Sequence, residues 1–286
     1  MNILITGSNG QLGNELRKIS GNYLNYRFFF TDVAELDIAN PEAVDVFFEK
    51  NSIQTVINCA AYTAVDKAES EKSAAMLINA RAVEYLSNAC YKSDATLIHV
   101  STDYVYNGCA HKPYNEDDPT DPVSVYGRTK LAGEYVALKT PKSAVIRTSW
   151  LYSSFGANFV KTMLCLGKER ETLNVVFDQV GTPTYAADLA FTIMEMVKAV
   201  ENNEFISGVF NYSNEGVCSW YDFALEIMQQ AGLKCAILPI ETKDYPTPAT
   251  RPHYSVMNKA RIKTAYRLMI PHWKDSLIRC LEEIGR

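Results

Sequence analysis

The sequence predicts an α/β protein in which a doubly wound parallel sheet carries a smaller C-terminal α/β lobe. Short apolar runs of about five residues alternate with amphipathic segments of about ten or more, as in right-handed βαβ crossovers. A glycine-rich turn joins the first apolar run to the first helical segment. The 286 residues exceed the usual size of one domain, so the chain is long enough for a large core and a second lobe.

Five apolar runs in the first half are predicted to be buried parallel strands. The first run is too short for a helix and ends at Gly7. The segment after it has its leucine and isoleucine side chains at helical spacing. Asn40 followed by a proline is typical of a helix start. The predicted strands are residues 2–6, 26–31, 55–58, 96–101 and 144–148, and the predicted helices are residues 11–20, one capped by Asn40, 73–90 and 125–138.

The alternation becomes less regular after Trp150, although the composition does not shift and the sequence contains no low-complexity linker. We therefore predict a first domain of residues 1–150 and a smaller lobe of residues 151–286 against it, with part of 173–205 packing back on the first domain. The proline-rich segment 245–252 predicts a rigid loop. The predicted elements of this half are helices at 159–170, 188–200 and 220–230 and strands at 173–177, 208–212 and 236–240.

Composition and charge exclude several classes of protein. The 28 basic and 33 acidic side chains give a net charge of −5 without a basic block, which argues against nucleic acid or a membrane as partner and favours a small molecule. The seven cysteines occur singly, so neither a disulfide framework nor a zinc site is predicted. The first apolar run is too short for a signal peptide, and no run has the length of a membrane span. We expect a cytoplasmic protein.

The glycine-rich turn has the spacing G-x-x-G-x-x-G and is formed by Gly7, Gly10 and Gly13. Glycine permits a tight turn and a close approach of the backbone to a pyrophosphate, and the first N–H groups of the following helix point at that anion. The alternative is a strand-to-helix turn that binds no ligand. The position between the first strand and the first helix favours dinucleotide binding by residues 1–150.

Asp32 follows the second predicted strand, about 20 residues after the last glycine, where a carboxylate accepts hydrogen bonds from an adenosine ribose. A negative charge at this position repels a 2′-phosphate, and the only nearby cation in the sequence is Arg27, before the end of the strand. Asp32 therefore favours NADH. The alternative for an isolated aspartate at a strand end is a turn former.

Tyr126 and Lys130 are four residues apart and lie on one face of the predicted helix at 125–138. Free tyrosine has a pKa near ~10, so the phenol exchanges protons at neutral pH when a cation stabilises its phenolate. Thr102, at the end of the fourth strand, supplies a hydroxyl that can hold a carbonyl oxygen beside the phenol, with Ser101 as the competing hydroxyl. The alternatives are a solvated helical pair and an ordinary β-branched strand residue. We predict Thr102, Tyr126 and Lys130 as the catalytic residues.

These motifs resemble the extended short-chain dehydrogenase/reductase superfamily, whose Rossmann-like members use a glycine turn, a Ser or Thr, a Tyr and a Lys in this order. The resemblance is closer to the dTDP-4-dehydrorhamnose reductase family and extends over nearly the whole chain. The blocks that carry it are residues 60–69, 101–106, 125–134, 147–150 and 246–252.

The resemblance implies an NADH- or NADPH-dependent reduction of the C4 ketone of a nucleotide sugar, dTDP-4-dehydro-β-L-rhamnose, to dTDP-β-L-rhamnose. It implies contacts between the chain and both ligands. The cofactor contacts are Gly10, Gln11, Leu12, Asp32, Asp37, Ile38, Ala60, Ala61, Tyr62, Val100, Tyr126 and Lys130, and the sugar-nucleotide contacts are Thr102, Asp103, Tyr104 and Trp150.

Arg251, in the proline-rich loop, is predicted to bind the diphosphate of the sugar nucleotide, because its planar fork forms two parallel charge-assisted hydrogen bonds. The alternative is an ion pair between Arg251 and an acidic residue of the first domain. Some members of the resembled family bind magnesium between subunits through an acidic cluster. Here Ala187 stands in place of a glutamate of that cluster, while Glu15 and the neighbouring Asp188 remain, so we predict no metal site and leave monomer and homodimer open.

Two other functions remain open from the sequence. The first is a nucleotide-sugar 4,6-dehydratase or epimerase of the same fold. Dehydratases that resemble this chain have an Asp-Glu pair after the threonine, whereas Asp103 is followed here by Tyr104. The second is a non-catalytic regulatory subunit that resembles that of methionine adenosyltransferase.

Overall fold

A six-stranded parallel sheet forms the centre of the computed structural model, which describes residues 1–285. The strands are β1 (Asn2–Thr6), β2 (Arg27–Thr31), β3 (Thr55–Asn58), β4 (Thr96–Thr102), β5 (Ser143–Thr148), β6 (Leu151–Tyr152), β7 (Thr172–Val176), β8 (Val180–Gly181), β9 (Thr184–Tyr185), β10 (Gly208–Tyr212), β11 (Cys218–Ser219) and β12 (Ala236–Ile240). The order across the large sheet is β10-β5-β4-β3-β1-β2. This order reverses direction between β1 and β3, where open α/β sheets form a binding crevice. The predicted doubly wound parallel sheet is confirmed.

Helices cover both faces of this sheet. They are α1 (Gln11–Ile19), α2 (Pro41–Asn51), α3 (Val65–Ala68), α4 (Lys72–Met76), α5 (Ala82–Lys92), α6 (Val125–Ala137), α7 (Phe159–Glu169), α8 (Ala186–Glu201), α9 (Trp220–Gln230), α10 (Ala260–Tyr266) and α11 (Trp273–Ile284). Within residues 1–285, no helix is long and apolar enough to cross a membrane.

Two apolar clusters hold the helices to the sheet. On one face, Leu12 and Leu16 of α1 pack with Ile193 of α8 against the strands. On the other face, α2 and α5 pack against the same strands through side chains that include Val44 and Leu86. Because both faces are covered, the central strands are buried along their length, as their uninterrupted apolar runs require.

A smaller group of elements lies C-terminal to the central strands. Strands β7 and β12 pair in parallel, and helices α7, α9 and α11 pack around them. The core of this lobe is a separate cluster in which Phe223 and Leu277 are fully buried. Helix α9 begins with a capping box between Ser219 and Asp222, which satisfies the N–H groups at its start.

The predicted helix at 73–90 is interrupted. Helix α4 ends at Met76, a π-helical turn spans Leu77–Arg81, and α5 begins at Ala82. The turn brings the Asn79 carbonyl so close to Gly133 of α6 that a Cβ on Gly133 would lie 2.0 Å from it. Apolar periodicity does not distinguish a π turn from a regular helix, since the inserted residue shifts the pattern by only one position.

The strand predicted at 208–212 has a different position from the one assigned to it. The sequence placed it in the C-terminal lobe, whereas β10 is the edge strand of the large sheet and pairs with β5 from Gly208 to Tyr212. A short apolar run predicts a buried strand but does not identify its neighbour, which is why this assignment was wrong. Helix α8, within the segment 173–205, packs on α1. The division of the chain at residue 150 stays a prediction.

Candidate active site

The glycine turn forms a backbone cradle at the carboxyl end of β1. Gly7 has a φ of +63°, and a Cβ on it would lie 2.7 Å from the backbone of Ala60. A Cβ on Gly13 would lie 2.5 Å from the Cα of Ser8. Gly10 is the N-cap of α1 and has no side chain that could accept the first N–H groups of the helix. The cradle therefore has the open N–H groups and the close backbone packing that suit a pyrophosphate.

Asp32 lies beside this cradle. The backbone N–H of Asn9 donates to Oδ2 of Asp32 at 3.2 Å, and the N–H of Val33 donates to Oδ1 at 2.9 Å. The structure thus brings together the glycine turn and the carboxylate that the sequence placed at the ribose. The contact with a ribose itself stays a prediction.

The glycine turn and Asp32 together form a corner at the carboxyl ends of β1 and β2. The cation nearest to this corner is not the one that the sequence analysis identified. Arg27 begins β2, five residues before Asp32, which is about 16 Å along an extended strand. Arg17 of α1 instead donates from Nη2 to Oγ of Ser8 at 3.0 Å, and its guanidinium lies 4.5 Å from the centre of the Phe30 ring. The reading of Arg27 as the only nearby cation was wrong, because Arg17 reaches the corner from another element.

The other predicted cofactor residues lie at the start of α1, in the segments after β2 and β3, and within β4. Ala60 approaches Gly7 closely, and the N–H of Tyr62 donates to Oδ1 of Asn79 at 2.8 Å. Asp37 and Ile38 are engaged locally: the Asp37 carboxylate accepts from the N–H of Ala39, and the Ile38 side chain is buried in the apolar core. Their roles toward a cofactor, and those of Gln11, Leu12, Ala61 and Val100, stay predictions.

Helix α6 brings the predicted catalytic side chains to the end of β4. Ser124 caps the helix by accepting from the N–H of Gly127 at 3.1 Å. A Cβ on Gly127 would lie 2.2 Å from the carbonyl oxygen of Tyr104, so this glycine allows the helix to approach the turn after β4. The rings of Tyr126 and Tyr104 meet edge to face at 5.4 Å. Tyr126 therefore lies next to the segment that carries Thr102.

Electrostatics favour a protonated phenol at this position. Burial raises the pKa of Tyr126 to about 12, while hydrogen bonding to Thr102 acts in the opposite direction. Burial also lowers the pKa of Lys130 to about 8. Nζ of Lys130 donates to the carbonyl of Val100 at 2.7 Å. The predicted lowering of the Tyr126 pKa by Lys130 stays a prediction.

A buried ion pair connects α6 to strands β4 and β5. Nε of Arg147 donates to both carboxylate oxygens of Glu134 at 3.1 Å, and Nη2 donates to Oε2 at 2.7 Å. The Ser101 hydroxyl donates to Oε1 of Glu134. This contact occupies the hydroxyl that competed with Thr102 for the carbonyl. The sequence analysis missed Glu134, although the spacing of Tyr126, Lys130 and Glu134 on one helix face was available as a signal.

Thr102 and Asp103 lie at the end of β4, next to Tyr126. The Thr102 hydroxyl donates to Oδ1 of Asp103 at 3.0 Å and accepts from the N–H of Tyr104 at 3.2 Å. Asp103 is 3% exposed, and burial raises the pKa of its carboxyl to about 6. The hydroxyl of Thr102 is thus held in a fixed orientation by its two neighbours.

A cavity of about 680 Å³ extends from Tyr104 to the C-terminal lobe. Its wall includes Trp220, on which Trp150 stacks with ring centres 3.6 Å apart. Trp150 has a φ of +50°, a conformation that is unusual for a large side chain. Its ring also covers Gly181, where a Cβ would lie 2.8 Å from the indole. The predicted substrate residue Trp150 therefore contacts the cavity wall through Trp220.

Arg251 lines the same cavity and bridges the two parts of the protein. Its Nη2 donates to Oδ2 of Asp66 at 2.7 Å, and its Nη1 donates to the carbonyl of Ala249 at 3.0 Å. Hydrogen bonding to Arg251 lowers the pKa of Asp66. The ion pair that the sequence left as the alternative for Arg251 is present, and diphosphate binding stays a prediction.

Comparison with known proteins identifies the relatives of this chain. The model of the family described as RmlD substrate binding domain matches residues 1–286. The chain belongs to this family.

Several RmlD-family proteins are similar to it over almost their whole length. A dTDP-4-dehydrorhamnose reductase from Escherichia coli K12 is 40% identical, covering 99% of this chain and 98% of the relative. A crystal structure of a dTDP-4-dehydrorhamnose reductase from Clostridium acetobutylicum has a TM-score of 0.94 at 42% identity and covers 100% of both chains. Another, from Bacillus anthracis in complex with NADP, has a TM-score of 0.94 at 38% identity and covers 99% of both. The resemblance read from the sequence is confirmed.

Of the acidic residues considered for a metal, Glu15 belongs to α1 and Asp188 to α8. Glu15 is fully buried and accepts from the Ser153 hydroxyl at 2.6 Å, and burial raises its pKa. Asp188 accepts from Ser276 and Arg279. Among residues 1–285, no group of three or more His, Cys, Asp or Glu side chains could hold a metal ion.

Proposed function

We propose that this member of the RmlD family reduces the C4 ketone of dTDP-4-dehydro-β-L-rhamnose to dTDP-β-L-rhamnose with NADH or NADPH. The observation that carries the proposal is the position of Tyr126 beside Thr102 and against Tyr104, which lines the cavity. The names of the similar proteins supply the substrate.

The cofactor, when bound, supplies the hydride that adds to the C4 carbon. Tyr126 is protonated at neutral pH because burial raises its pKa, so it can give its proton to the carbonyl oxygen as the C4–H bond forms. The Thr102 hydroxyl carries one proton, which it donates to Oδ1 of Asp103 in this structure, so it hydrogen-bonds and orients the same oxygen by turning that O–H from Asp103 to the substrate. The new O–H bond leaves a phenolate, which regains a proton from water.

Lys130 has a positioning role in this scheme. Its ammonium is held at the end of β4 by the Val100 carbonyl, which leaves two of its three N–H donors for ribose hydroxyls. Gly7, Gly10 and Gly13 hold the pyrophosphate, and Asp32 accepts from the adenosine ribose. The sugar nucleotide enters the cavity lined by Tyr104 and Arg251.

The cysteines and the charge support a cytoplasmic location and a small-molecule partner. All seven cysteines are free thiols, which fits the reducing cytoplasm. The net charge of −5 without a basic block supports a small-molecule partner over nucleic acid, and a monomer or a homodimer fits the chain equally well.

The test is an NADH-oxidation assay with purified protein and dTDP-4-dehydro-β-L-rhamnose, with product identification by NMR. We expect substrate-dependent oxidation and formation of dTDP-β-L-rhamnose. The control substrates are dTDP-glucose, which a 4,6-dehydratase converts, and UDP-glucose, which a 4-epimerase converts. Conversion of either control without reduction of the 4-keto sugar would reject the proposal in favour of that activity. Cofactor binding without any conversion would favour a regulatory subunit.

A further inference from the structure

The corner beside Asp32 contains a cation that the proposed function does not use. Arg17 is an exposed residue of α1, and its guanidinium carbon lies 4.5 Å from the centre of the Phe30 ring near the end of β2. It donates one hydrogen bond to the Ser8 hydroxyl. Ser8 precedes Asn9, whose backbone N–H is bound by the Asp32 carboxylate. A continuous set of contacts therefore connects the guanidinium to the place where the adenosine ribose is expected.

The charge of Arg17 is not neutralised within the chain. Among residues 1–285, no carboxylate forms an ion pair with it, unlike its neighbour Lys18, which pairs with Glu283. A guanidinium has five N–H donors in a planar fork, and the contact with Ser8 uses one of them. The contact with the Phe30 ring holds the guanidinium beside the end of β2. An oriented cation with free donors at this corner is suited to a phosphate.

A 2′-phosphate is the anion that distinguishes NADPH from NADH at this place. A phosphate monoester carries a charge of about −1.5 to −2 at neutral pH, so it is repelled by Asp32 and needs a compensating cation. With Asp32 as the only charge, NADPH would be excluded. Arg17 contacts Ser8, which is followed in the chain by the Asn9 that binds Asp32, so it is the cation available at this turn to offset that repulsion through charge-assisted hydrogen bonds.

We propose that Arg17 binds the 2′-phosphate of NADPH, so that this chain accepts both cofactors. Asp32 accepts hydrogen bonds from the free 2′-hydroxyl of NADH, and Arg17 holds the phosphate that replaces that hydroxyl's hydrogen in NADPH. The inference rests on the proposed function for its cofactor class. The RmlD-family structure solved with NADP supports the presence of such a cofactor in the family.

Calorimetric titration of NADPH and NADH into the full chain tests the proposal without the sugar nucleotide. The wild type is expected to bind both. Arg17→Ala should raise the Kd for NADPH at least tenfold, as loss of a charge-assisted hydrogen bond does, and change the Kd for NADH less than twofold. Arg17→Lys, which keeps the charge but loses the fork, should be intermediate. Asp32→Ala should weaken NADH binding and strengthen NADPH binding.

The matched control is Arg27→Ala, because Arg27 is also exposed and also stacks on a phenylalanine of β2. It should leave both dissociation constants unchanged. Equal effects of Arg17→Ala on the two cofactors, or no effect on either, would overturn the proposal and make Arg17 a link between α1 and β2. A wild type that binds only NADH, or neither cofactor, would overturn it as well. If Arg17→Ala still weakened only NADPH binding but the protein did not reduce the sugar nucleotide, only the proposed function would be rejected.

Discussion

Loss of the Glu134 carboxylate should be among the most destabilising single changes in this protein. The Glu134 side chain is 1% exposed and the Arg147 side chain is 5% exposed. Arg147 donates three hydrogen bonds to Glu134 and two more to the Tyr106 hydroxyl and the Glu116 carbonyl. In Glu134→Ala the guanidinium stays buried while its counter-charge is gone. Breaking a buried pair in this way costs about 3 to 5 kcal/mol of unfolding free energy.

Urea unfolding followed by circular dichroism measures this loss. The control is Lys92→Ala, which removes an exposed ion pair with Asp45 and should cost about 1 kcal/mol or less. The double variant Glu134→Leu/Arg147→Met should recover much of the stability, because it removes both charges and fills the space. If Glu134→Ala were no more destabilising than Lys92→Ala, the pair would be solvated and the reasoning from burial would be refuted.

Three further outcomes follow from the site. Tyr126→Phe should keep cofactor affinity and lower turnover by at least about 10²-fold, the usual effect of removing a general acid; near-normal steady-state turnover would remove Tyr126 from the mechanism. The contribution of Asp103 to the unfolding free energy should fall as pH rises from about 4 to about 6, because the pKa of Asp103 is raised from 3.8 in the unfolded chain to about 6 in the folded one. Asp103→Asn should flatten that dependence in urea titrations, and an unchanged slope would contradict the assignment. Arg251→Ala should raise the KM for the sugar nucleotide more than about tenfold with NADH affinity unchanged. The control Asp66→Asn should lower the Tm and leave the KM for the sugar nucleotide unchanged. If Arg251→Ala likewise lowered the Tm without changing that KM, Arg251 would be assigned to packing between the lobes.

The parts of the site that the sequence predicted are those with short-range causes. A glycine at Gly7 is required by the positive φ of the turn itself, and the spacing of Tyr126 and Lys130 follows from the geometry of a single helix. Their places in the fold also followed from the order of strands and helices, because parallel strands bring their carboxyl ends to one edge of the sheet.

Contacts between segments far apart in the chain could not be predicted from the sequence in the same way. The sequence favoured Thr102 and kept Ser101 as the competing hydroxyl, and only the position of Glu134 on α6 shows that Ser101 is already engaged. It treated Lys130 as the partner of Tyr126, whereas the ammonium reaches the Val100 carbonyl across to β4. Both outcomes depend on how α6 packs on the sheet, which periodicity does not specify.

The sequence by itself determined the alternation of strands and helices, the dinucleotide-type turn and the family to which the chain belongs, because each is encoded in local spacing or in blocks of residues. Tertiary structure alone decided that β10 joins the large sheet, that Arg251 pairs with Asp66, and that Arg17 reaches the corner of Asp32. The physical reason is that a strand's neighbour and a long side chain's partner are selected by packing between elements far apart in the chain. Many such pairings are compatible with the same local pattern, and the fold as a whole selects one of them.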